Sequence, residues 1–439
     1  MATKFRFNYN NQTVDFEDYY VRADFFRQGN LWAWGNNFNG KLGDNTTASK
    51  SSPIQEITRG TNWSFVASGR SHTAAIKTDG TLWTWGNNGN GKLGDNTTAN
   101  KSSPIQTITG GNNWSSVAVG YGHTAAIKTD GTLWTWGLNT NGQLGNNTTT
   151  HRSSPIQTIA VGTNWSKIAC GRGHTAGVKT DGTLWTWGRN YSGQLGDNTT
   201  TNRSSPVQTI TGGTNWSKIA CGYLHTAAIK TDGTIWTWGR NYSGELGDGT
   251  ATNKSSPVQT ITGGTTWNFV ACGTYYTAAI KTDGTIWLWG GNGIGQLGDN
   301  TTASKSSPIQ TIAGGTNWSK VACGGNHTAA IKTDGTLWLW GDNTFYGQLG
   351  DNTSENKSSP VQEITRGTNW KQVNAGYDFT AAVTYLDDIY VPTSSTAPSG
   401  TVAPTATPTP SVTPPAATPT PSATPSATGA PGPTQQFEP

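Results

Sequence analysis

The chain has 439 residues, of which 33% are hydrophobic and 12% charged, and this balance, with 57 glycines, favours a Gly-rich β repeat over a helical protein. Its formal net charge of +4 is too weak, over this length, to indicate a nucleic-acid or anionic-membrane partner. No stretch approaches about 18 consecutive apolar residues, so no membrane span is predicted, and the start MATKFRFNYNNQ lacks the apolar core of a standard secretory signal.

Residues 1–24 are predicted to be an arm outside the main fold. Phe5, Phe7 and Tyr9 alternate with polar residues, and the acidic residues Asp15 and Glu17 follow. An arm with this many aromatic side chains is too apolar to be left in solvent. We expect it either to cap the rest of the molecule or to dock on another molecule.

Residues 25–390 are predicted to be one domain built from a repeat. The string Leu/Ile-Trp-x-Trp-Gly recurs at intervals of 51 residues, and its first tryptophan stands at Trp32, Trp83, Trp134, Trp185, Trp236, Trp287 and Trp338. A third tryptophan recurs in a second string, at Trp63, Trp114, Trp165, Trp216, Trp267, Trp318 and Trp370. Seven copies with three tryptophans each account for all 21 in the chain. A period of this length is typical of a propeller or another repeat architecture.

Each copy contains four predicted strands. In the third copy the first two strands cover residues 165–171 and 174–179, the third covers 184–188 and the fourth 206–210. Between the second and third strands, Thr-Asp-Gly-Thr predicts a tight hairpin turn, because Asp-Gly readily takes positive φ angles. Four short antiparallel strands per repeat predict a propeller blade, with the Pro-containing fourth strand at the outer edge.

The two ends of the repeat region predict how the ring closes. The region starts with a third-type strand at residues 31–35 and a fourth-type strand at 53–57, and it ends with a first-type strand at 370–376 and a second-type strand at 380–384. These halves are expected to share one blade, which removes the free edges of an open sheet. The predicted fold is therefore an all-β, seven-bladed propeller of four-stranded antiparallel blades, closed by pairing N- and C-terminal strands.

Four motifs recur in order in the copies: Gly-Thr-Leu-Trp-x-Trp-Gly, Asn-x-x-Gly-Gln-Leu-Gly, Pro-Ile-Gln and Val-Ala-Cys-Gly-x-x-His-Thr-Ala-Ala. Over residues 22 to 384 the sequence resembles the regulator of chromosome condensation repeat family, which implies a seven-bladed propeller. Copies this uniform resemble those of bacterial and phage members. The family's nucleotide-exchange member acts on a small nuclear GTPase through a protruding wedge and carries a basic tail. This sequence has neither feature, so the resemblance does not imply exchange activity here.

Two recurring residue types could suggest chemistry. Histidine occupies one repeat position in five copies, and Tyr276 and Phe379 replace it in the other two; the histidines are His72, His123, His174, His225 and His327. A catalytic residue does not recur around a ring and tolerate phenylalanine at the same position, so these are predicted to be core or channel residues. Cysteine likewise recurs at Cys170, Cys221, Cys272 and Cys323. Equivalent positions in neighbouring blades are too far apart for a disulfide or a tetrahedral metal site, so free thiols, no metal and no cofactor are predicted.

Basic residues also recur, immediately before each Ser-Ser-Pro, at Lys50, Lys101, Arg152, Arg203, Lys254, Lys305 and Lys357. Such a ring could hold an acidic polymer. Aspartates such as Asp44 and Asp95 lie a few residues earlier in the same loops, so local ion pairs are the preferred interpretation.

A candidate binding surface follows from comparing the copies with one another. The loops after the first and third strands lie on the same rim of the propeller, opposite the Thr-Asp-Gly turns, which hardly vary among the copies. In these loops the copies diversify towards Tyr, Phe and Arg. Tyr and Arg are typical anchors of protein interfaces. The predicted partner-binding residues are Phe38, Arg70, Tyr121, Arg172, Tyr191, Tyr223, Tyr242, Tyr275, Phe345, Tyr346 and Tyr377.

Residues 391–439 are rich in Pro, Thr, Ala and Ser, with Glu438 as the only charged side chain, and predict an extended tail. The favoured function is a non-enzymatic structural or protein-interaction module that is extracellular, virion-associated or part of a fibre, with the arm and the tail available for self-assembly. The alternatives are a carbohydrate-binding propeller, whose partner would be a glycan, and an intracellular regulator of a small GTPase.

Overall fold

The computed structural model describes residues 6–9, 12–15, 29–159 and 162–385. A short hairpin pairs β1 (Arg6–Tyr9) with β2 (Gln12–Asp15), and every other strand in these ranges belongs to one of seven four-stranded antiparallel sheets. These sheets are the blades of a seven-bladed propeller, as predicted. None of the described segments forms a helix capable of spanning a membrane.

The first six blades follow one another along the chain, and the first strand of each lines the central channel. The first three blades contain β5–β8 (Trp63–Ser68, His72–Lys77, Leu82–Gly86, Lys101–Gln106), β9–β12 (Trp114–Val119, His123–Lys128, Leu133–Gly137, Arg152–Gln157) and β13–β16 (Trp165–Cys170, His174–Lys179, Leu184–Gly188, Arg203–Gln208). The next three contain β17–β20 (Trp216–Cys221, His225–Lys230, Ile235–Gly239, Lys254–Gln259), β21–β24 (Trp267–Cys272, Tyr276–Lys281, Ile286–Gly290, Lys305–Gln310) and β25–β28 (Trp318–Cys323, His327–Lys332, Leu337–Gly341, Lys357–Gln362).

The seventh blade is built from both ends of the repeat region. Its strand order is β29 (Trp370–Ala375), β30 (Phe379–Thr384), β3 (Leu31–Gly35) and β4 (Lys50–Gln55). Leu31 pairs with Val383 and Gly35 with Phe379 in an antiparallel register. The predicted closure is therefore confirmed.

The predicted bounds of the fourth strand were wrong. In the third blade this strand covers Arg203–Gln208 rather than residues 206–210, and in the seventh blade it covers Lys50–Gln55 rather than 53–57. The register against the third strand shifts between Thr186 and Gly188, so that Gly188 pairs with Arg203. Pro206 falls inside this irregular stretch, where a missing N–H removes no regular ladder bond. The first strand ends one residue before its predicted limit in both blades, at Cys170 rather than 171 in the third and at Ala375 rather than 376 in the seventh. The second strand of the seventh blade begins at Phe379, one residue before 380.

The tight turn between second and third strands has the predicted chemistry. In the third blade Gly182 has φ of +78°, which L-amino acids with side chains rarely adopt. The Asp181 carboxylate accepts hydrogen bonds from the backbone N–H and the hydroxyl of Thr183, at 2.9 and 2.7 Å. The same pair of bonds recurs in the first six blades, so the turns on this rim are structurally uniform.

The hydrophobic core lies between neighbouring blades. Leu31 and Ala33 of the seventh blade, for example, pack against Trp63, Val66 and Trp85 of the first blade. The second tryptophan of every Trp-x-Trp is fully buried, and its indole N–H donates to a carbonyl in the preceding blade, as Trp187 does to Gln143 at 2.9 Å. Because buried indole N–H groups need an acceptor, this bond fixes the spacing of adjacent blades as well as filling the space between them.

Candidate interaction surface on the variable rim

The loops after the first and third strands of each blade form one rim, as the strand directions predict. In the third blade the backbone N–H of Arg189, after the third strand, donates to the carbonyl of Gly173, after the first, at 2.7 Å. Equivalent bonds join the two loops in the other six blades, for example from Arg240 to Leu224 at 2.9 Å. We call this surface the variable rim.

Arginines and tyrosines alternate around the mouth of the central channel on the variable rim. The Arg70 guanidinium carbon lies 4.2 Å from the ring centroid of Tyr121 and 5.4 Å from that of Tyr377. The Arg172 guanidinium lies 5.7 Å from the Tyr121 ring and 4.5 Å from the Tyr223 ring. A guanidinium within about 6 Å of an aromatic face is attracted to it, so these loops hold one another in place.

The row continues into the fourth and fifth blades. The Tyr223 and Tyr275 ring centroids are 5.7 Å apart, and the Arg240 guanidinium lies 4.1 Å from the Tyr275 ring and 5.2 Å from the Tyr242 ring. Tyr121, Tyr223 and Tyr275 are partly buried, whereas Tyr242 is 68% exposed. We call the whole row the arginine–tyrosine arc; its members are Arg70, Tyr121, Arg172, Tyr223, Arg240, Tyr242, Tyr275 and Tyr377.

A second aromatic group lies where the ring closes. Phe38, after the third strand of the seventh blade, meets Tyr346 of the sixth blade edge to face, with ring centroids 5.5 Å apart. The Phe345 and Tyr346 rings are 6.2 Å apart, and Phe345 is 83% exposed. Phe345 has φ of +71°, unusual for a phenylalanine, in the loop with the single-residue insertion. The insertion therefore places an apolar side chain in solvent.

A pocket of about 470 Å³ lies between this aromatic group and the start of the arc. Lys41 and Lys92 both line it, and both side chains are more than nine-tenths buried. Lys41 forms an ion pair with Asp378 at 2.5 Å, whereas the Lys92 ammonium donates to the amide oxygen of Asn87. Burial and the nearby Arg70 cation lower the pKa of Lys92 to about 8.

The histidines form a hydrogen-bonded ladder around the ring. Nε2 of each lies about 3 Å from the hydroxyl of a threonine in the next blade, as between His123 and Thr175 at 2.9 Å. Tyr276 takes the histidine position in the fifth blade, and its hydroxyl donates to the His327 carbonyl. Burial lowers the pKa of His174 to about 3, so its imidazole is neutral at physiological pH. The predicted structural role is confirmed.

The four cysteines line the central channel. All four are free, and the Cys170 and Cys272 thiols donate to the carbonyls of Ala118 and Ala220 in a neighbouring blade, both at 3.7 Å. Burial raises the pKa of Cys272 to about 12. Over the described ranges no three His, Cys, Asp or Glu side chains come together in a group that could hold a metal ion.

The predicted local ion pairs are confirmed in six blades. Lys50 lies 3.7 Å from Asp44 and Arg203 lies 2.8 Å from Asp197, and four further blades contain the same pair. In the second blade Asn146 replaces the aspartate, so Arg152 has no ion pair of this kind. These basic side chains are therefore mostly neutralised locally, and they do not form a free cationic ring.

Comparison with known proteins identifies the family. A family model described as an RCC1-like domain matches residues 25–311 and again 103–392. The chain belongs to the RCC1-like domain family. The ultraviolet-B receptor UVR8 of Arabidopsis thaliana is 32% identical over 333 residues, covering 74% of this chain and 75% of UVR8. The human E3 ubiquitin-protein ligase HERC2 is also 32% identical, over 320 residues, but the match covers only 6% of HERC2.

Solved structures show the same RCC1-like fold. Human WBSCR16 superposes with a TM-score of 0.72 at 21% identity, covering 82% of this chain and 99% of that chain. Yeast RCC1 (Prp20), in a structure bound to Kap60, superposes with a TM-score of 0.73 at 18% identity, covering 85% of this chain and 92% of that chain. At these identities the likeness concerns the fold.

The structure brings most of the predicted site residues together on this RCC1-like propeller. Seven of the eleven belong to the arginine–tyrosine arc and three to the aromatic group at the closure. The remaining one, Tyr191, is 62% exposed and pairs with Arg189, whose guanidinium carbon lies 5.1 Å from the tyrosine ring.

The sequence analysis missed the cations that complete the surface: Arg189, Arg240, Lys41 and Lys92. Arg189 and Arg240 follow Trp-Gly directly, at a position that reads Asn, Leu, Gly or Asp in the other copies. The change to arginine at a position that is uncharged in four of the other five copies is the sequence signal for both. Asp378, the partner of Lys41, comes from the opposite end of the chain, and only the closed ring brings the two together.

Proposed function

We propose that this chain is a non-enzymatic protein-interaction module that binds its partner on the variable rim. The arginine–tyrosine arc is the observation that supports this most strongly. It gathers the residue types that anchor protein interfaces into one continuous row on a rigid scaffold, while the Thr-Asp-Gly rim repeats the same turn. Each stacked arginine is held in position before a partner arrives, which lowers the entropy cost of binding.

The names and titles of relatives are consistent with this proposal. One solved structure shows yeast RCC1 bound to Kap60, and another is described together with the binding of Prp20p to Gsp1p and histones. The relatives reported above come from plants, human and yeast. We therefore favour a protein partner over a glycan. An extracellular or virion-borne setting, a bacterial or phage origin and self-assembly through residues 1–24 and 391–439 stay predictions from the sequence.

The experiment compares the two rims directly. A partner is captured from a lysate of the source organism, purified, and its affinity measured for the wild type and for Tyr121→Ala/Arg172→Ala/Tyr223→Ala. We expect the triple variant to lose at least a hundredfold in affinity while its fold stays intact, as shown by a cooperative melting transition, because interface Tyr and Arg residues are frequent hot spots. The matched control carries three changes on the opposite rim, Asp79→Asn, Asp130→Asn and Asp181→Asn. Weakening by the control alone would mean that the proposed face is wrong.

A further inference from the structure

One repeat position on the variable rim carries a buried polar side chain in all seven blades. It is the residue before each Leu-Gly, and it reads Lys41, Lys92, Gln143, Gln194, Glu245, Gln296 and Gln348. In four blades this side chain is a neutral glutamine. The three charged side chains therefore occupy equivalent positions in the same fold.

Two of the three charged copies have an internal partner of opposite charge. Lys41 pairs with Asp378, and Glu245 pairs with the Arg240 guanidinium. No carboxylate of the described residues pairs with Lys92, whose ammonium donates only to the neutral amide of Asn87. A buried ammonium normally needs an ionic partner to offset its lost hydration, so Lys92 is the exception.

The repeat shows what Lys92 lacks. Asp378 is the last residue of the loop between the first and second strands of the seventh blade, and the equivalent residue in the first blade is Ser71. Ser71 lines the same pocket as Lys92. The first blade has therefore kept the lysine while placing a hydroxyl where the seventh blade supplies its carboxylate.

We propose, building on the proposed function, that the pocket beside Lys92 binds an aspartate or glutamate side chain of a partner protein, which takes the place beside Lys92 that Asp378 takes beside Lys41. Arg70 lies on the same pocket and contributes to the site. Its guanidinium carbon lies 4.2 Å from the Tyr121 ring centroid, and a guanidinium can bind a carboxylate through two parallel N–H donors. An acidic segment of a protein is thus the occupant that the pocket fits.

The probe is a fluorescein-labelled peptide of ten glutamates, and binding is followed by fluorescence anisotropy at low salt. Lys92→Gln removes the charge and introduces the residue already present at Gln143, so the fold accommodates it. Lys167→Gln is the matched control: it removes one lysine near the other end of the channel and introduces the residue found at the equivalent Gln372. We expect Lys92→Gln to weaken peptide binding at least tenfold and Lys167→Gln to change it less than twofold. Equal losses would show attraction by net charge alone and would overturn the proposal.

A second variant tests the comparison with the seventh blade. Ser71→Asp installs the carboxylate of Asp378 in the first blade, so it should neutralise Lys92 internally and weaken the peptide at least tenfold without lowering the melting temperature. Unchanged binding by Ser71→Asp would contradict the proposal. Tighter binding of a ten-residue oligothymidylate than of the peptide would also overturn it, in favour of a nucleic acid.

The pH dependence of peptide binding is an independent test of the same site. The charged and titratable groups around Lys92 are Arg70, the Lys41–Asp378 pair, Tyr121 and Tyr346, with buried His72 behind them. Because the pKa of Lys92 is about 8, raising the pH from 7 to 9 should weaken peptide binding by up to about tenfold, and Lys92→Gln should remove this pH dependence. Suppose that the Lys92 and Ser71 variants and the pH series do not give these results, while Tyr121→Ala/Arg172→Ala/Tyr223→Ala still loses partner binding. The proposed carboxylate site is then wrong, and the proposed interaction face on the variable rim is still supported.

Discussion

Leu31 of β3 lies directly opposite Val383 of β30, although the two residues stand near opposite ends of the repeat region. Because of this pairing, the seventh blade contains strands from both ends of the repeat region. All interblade packing on either side of that blade then depends on the chain being closed.

Deletion of residues 370–439 is predicted to open the ring. It removes β29 and β30, leaving the seventh blade with two of its four strands and exposing unpaired edges, so the product should aggregate or melt with lost cooperativity. Deletion of residues 393–439 is the control and should leave the melting temperature nearly unchanged. Calorimetry and light scattering measure both; equal melting of the two truncations would argue against closure as the source of stability.

Much of this architecture could be predicted from the sequence because tryptophan and Asp-Gly recur at a fixed interval and report strand order directly. The bounds of the fourth strand could not be predicted from the sequence. The bulge that places Pro206 outside the regular ladder depends on the pairing of Arg203 with Gly188 in the neighbouring strand. The arc was predicted as a set of loop residues, but its order around the channel follows from distances such as that between Arg172 and Tyr223. The contrast between Lys92 and Lys41 required the ring, because Asp378 reaches Lys41 only across the closure.

Replacing Trp187 by Phe is predicted to cost about 1–3 kcal/mol of unfolding free energy. The change removes the interblade hydrogen bond to the Gln143 carbonyl and leaves a gap in a fully buried site. Trp185→Phe in the same strand is the control: Trp185 is partly exposed and donates to the Thr183 hydroxyl within its own blade, so its cost should stay below about 1 kcal/mol. Equilibrium urea unfolding compares them, and a larger cost for Trp185→Phe would contradict the proposed role of the interblade bond.

The histidine ladder predicts a loss of stability in mild acid. The pKa of His123 is lowered to about 4 by burial, against about 6.5 in the unfolded chain, so below pH 6.5 the unfolded state binds more protons and stability falls as the pH drops towards 4. His123→Phe, which copies Phe379, should reduce the slope of this dependence by the contribution of one of the five histidines. Thr175→Val removes the same hydrogen bond but keeps the histidine, so it should preserve the slope. Urea midpoints from pH 7 to 4.5 measure both; identical slopes for wild type and His123→Phe would refute the argument.

The channel thiols are predicted to be inert in the native protein. With the pKa of Cys272 raised to about 12, almost no thiolate is present at pH 8, and the thiolate is the reactive form. Ellman's reagent should therefore modify the native protein very slowly and react with four thiols once urea unfolds it. Rapid modification of the native protein would mean that burial does not suppress the reactivity of these thiols.

Site-specific photo-crosslinking identifies which rim of the propeller contacts a partner. A benzophenone amino acid is placed either at Tyr191, beside the arginine–tyrosine arc, or at Thr180, an exposed residue in a turn of the opposite rim. After irradiation with the captured partner, we expect a covalent adduct from position 191 and none from position 180. An adduct from position 180 alone would contradict binding on the variable rim.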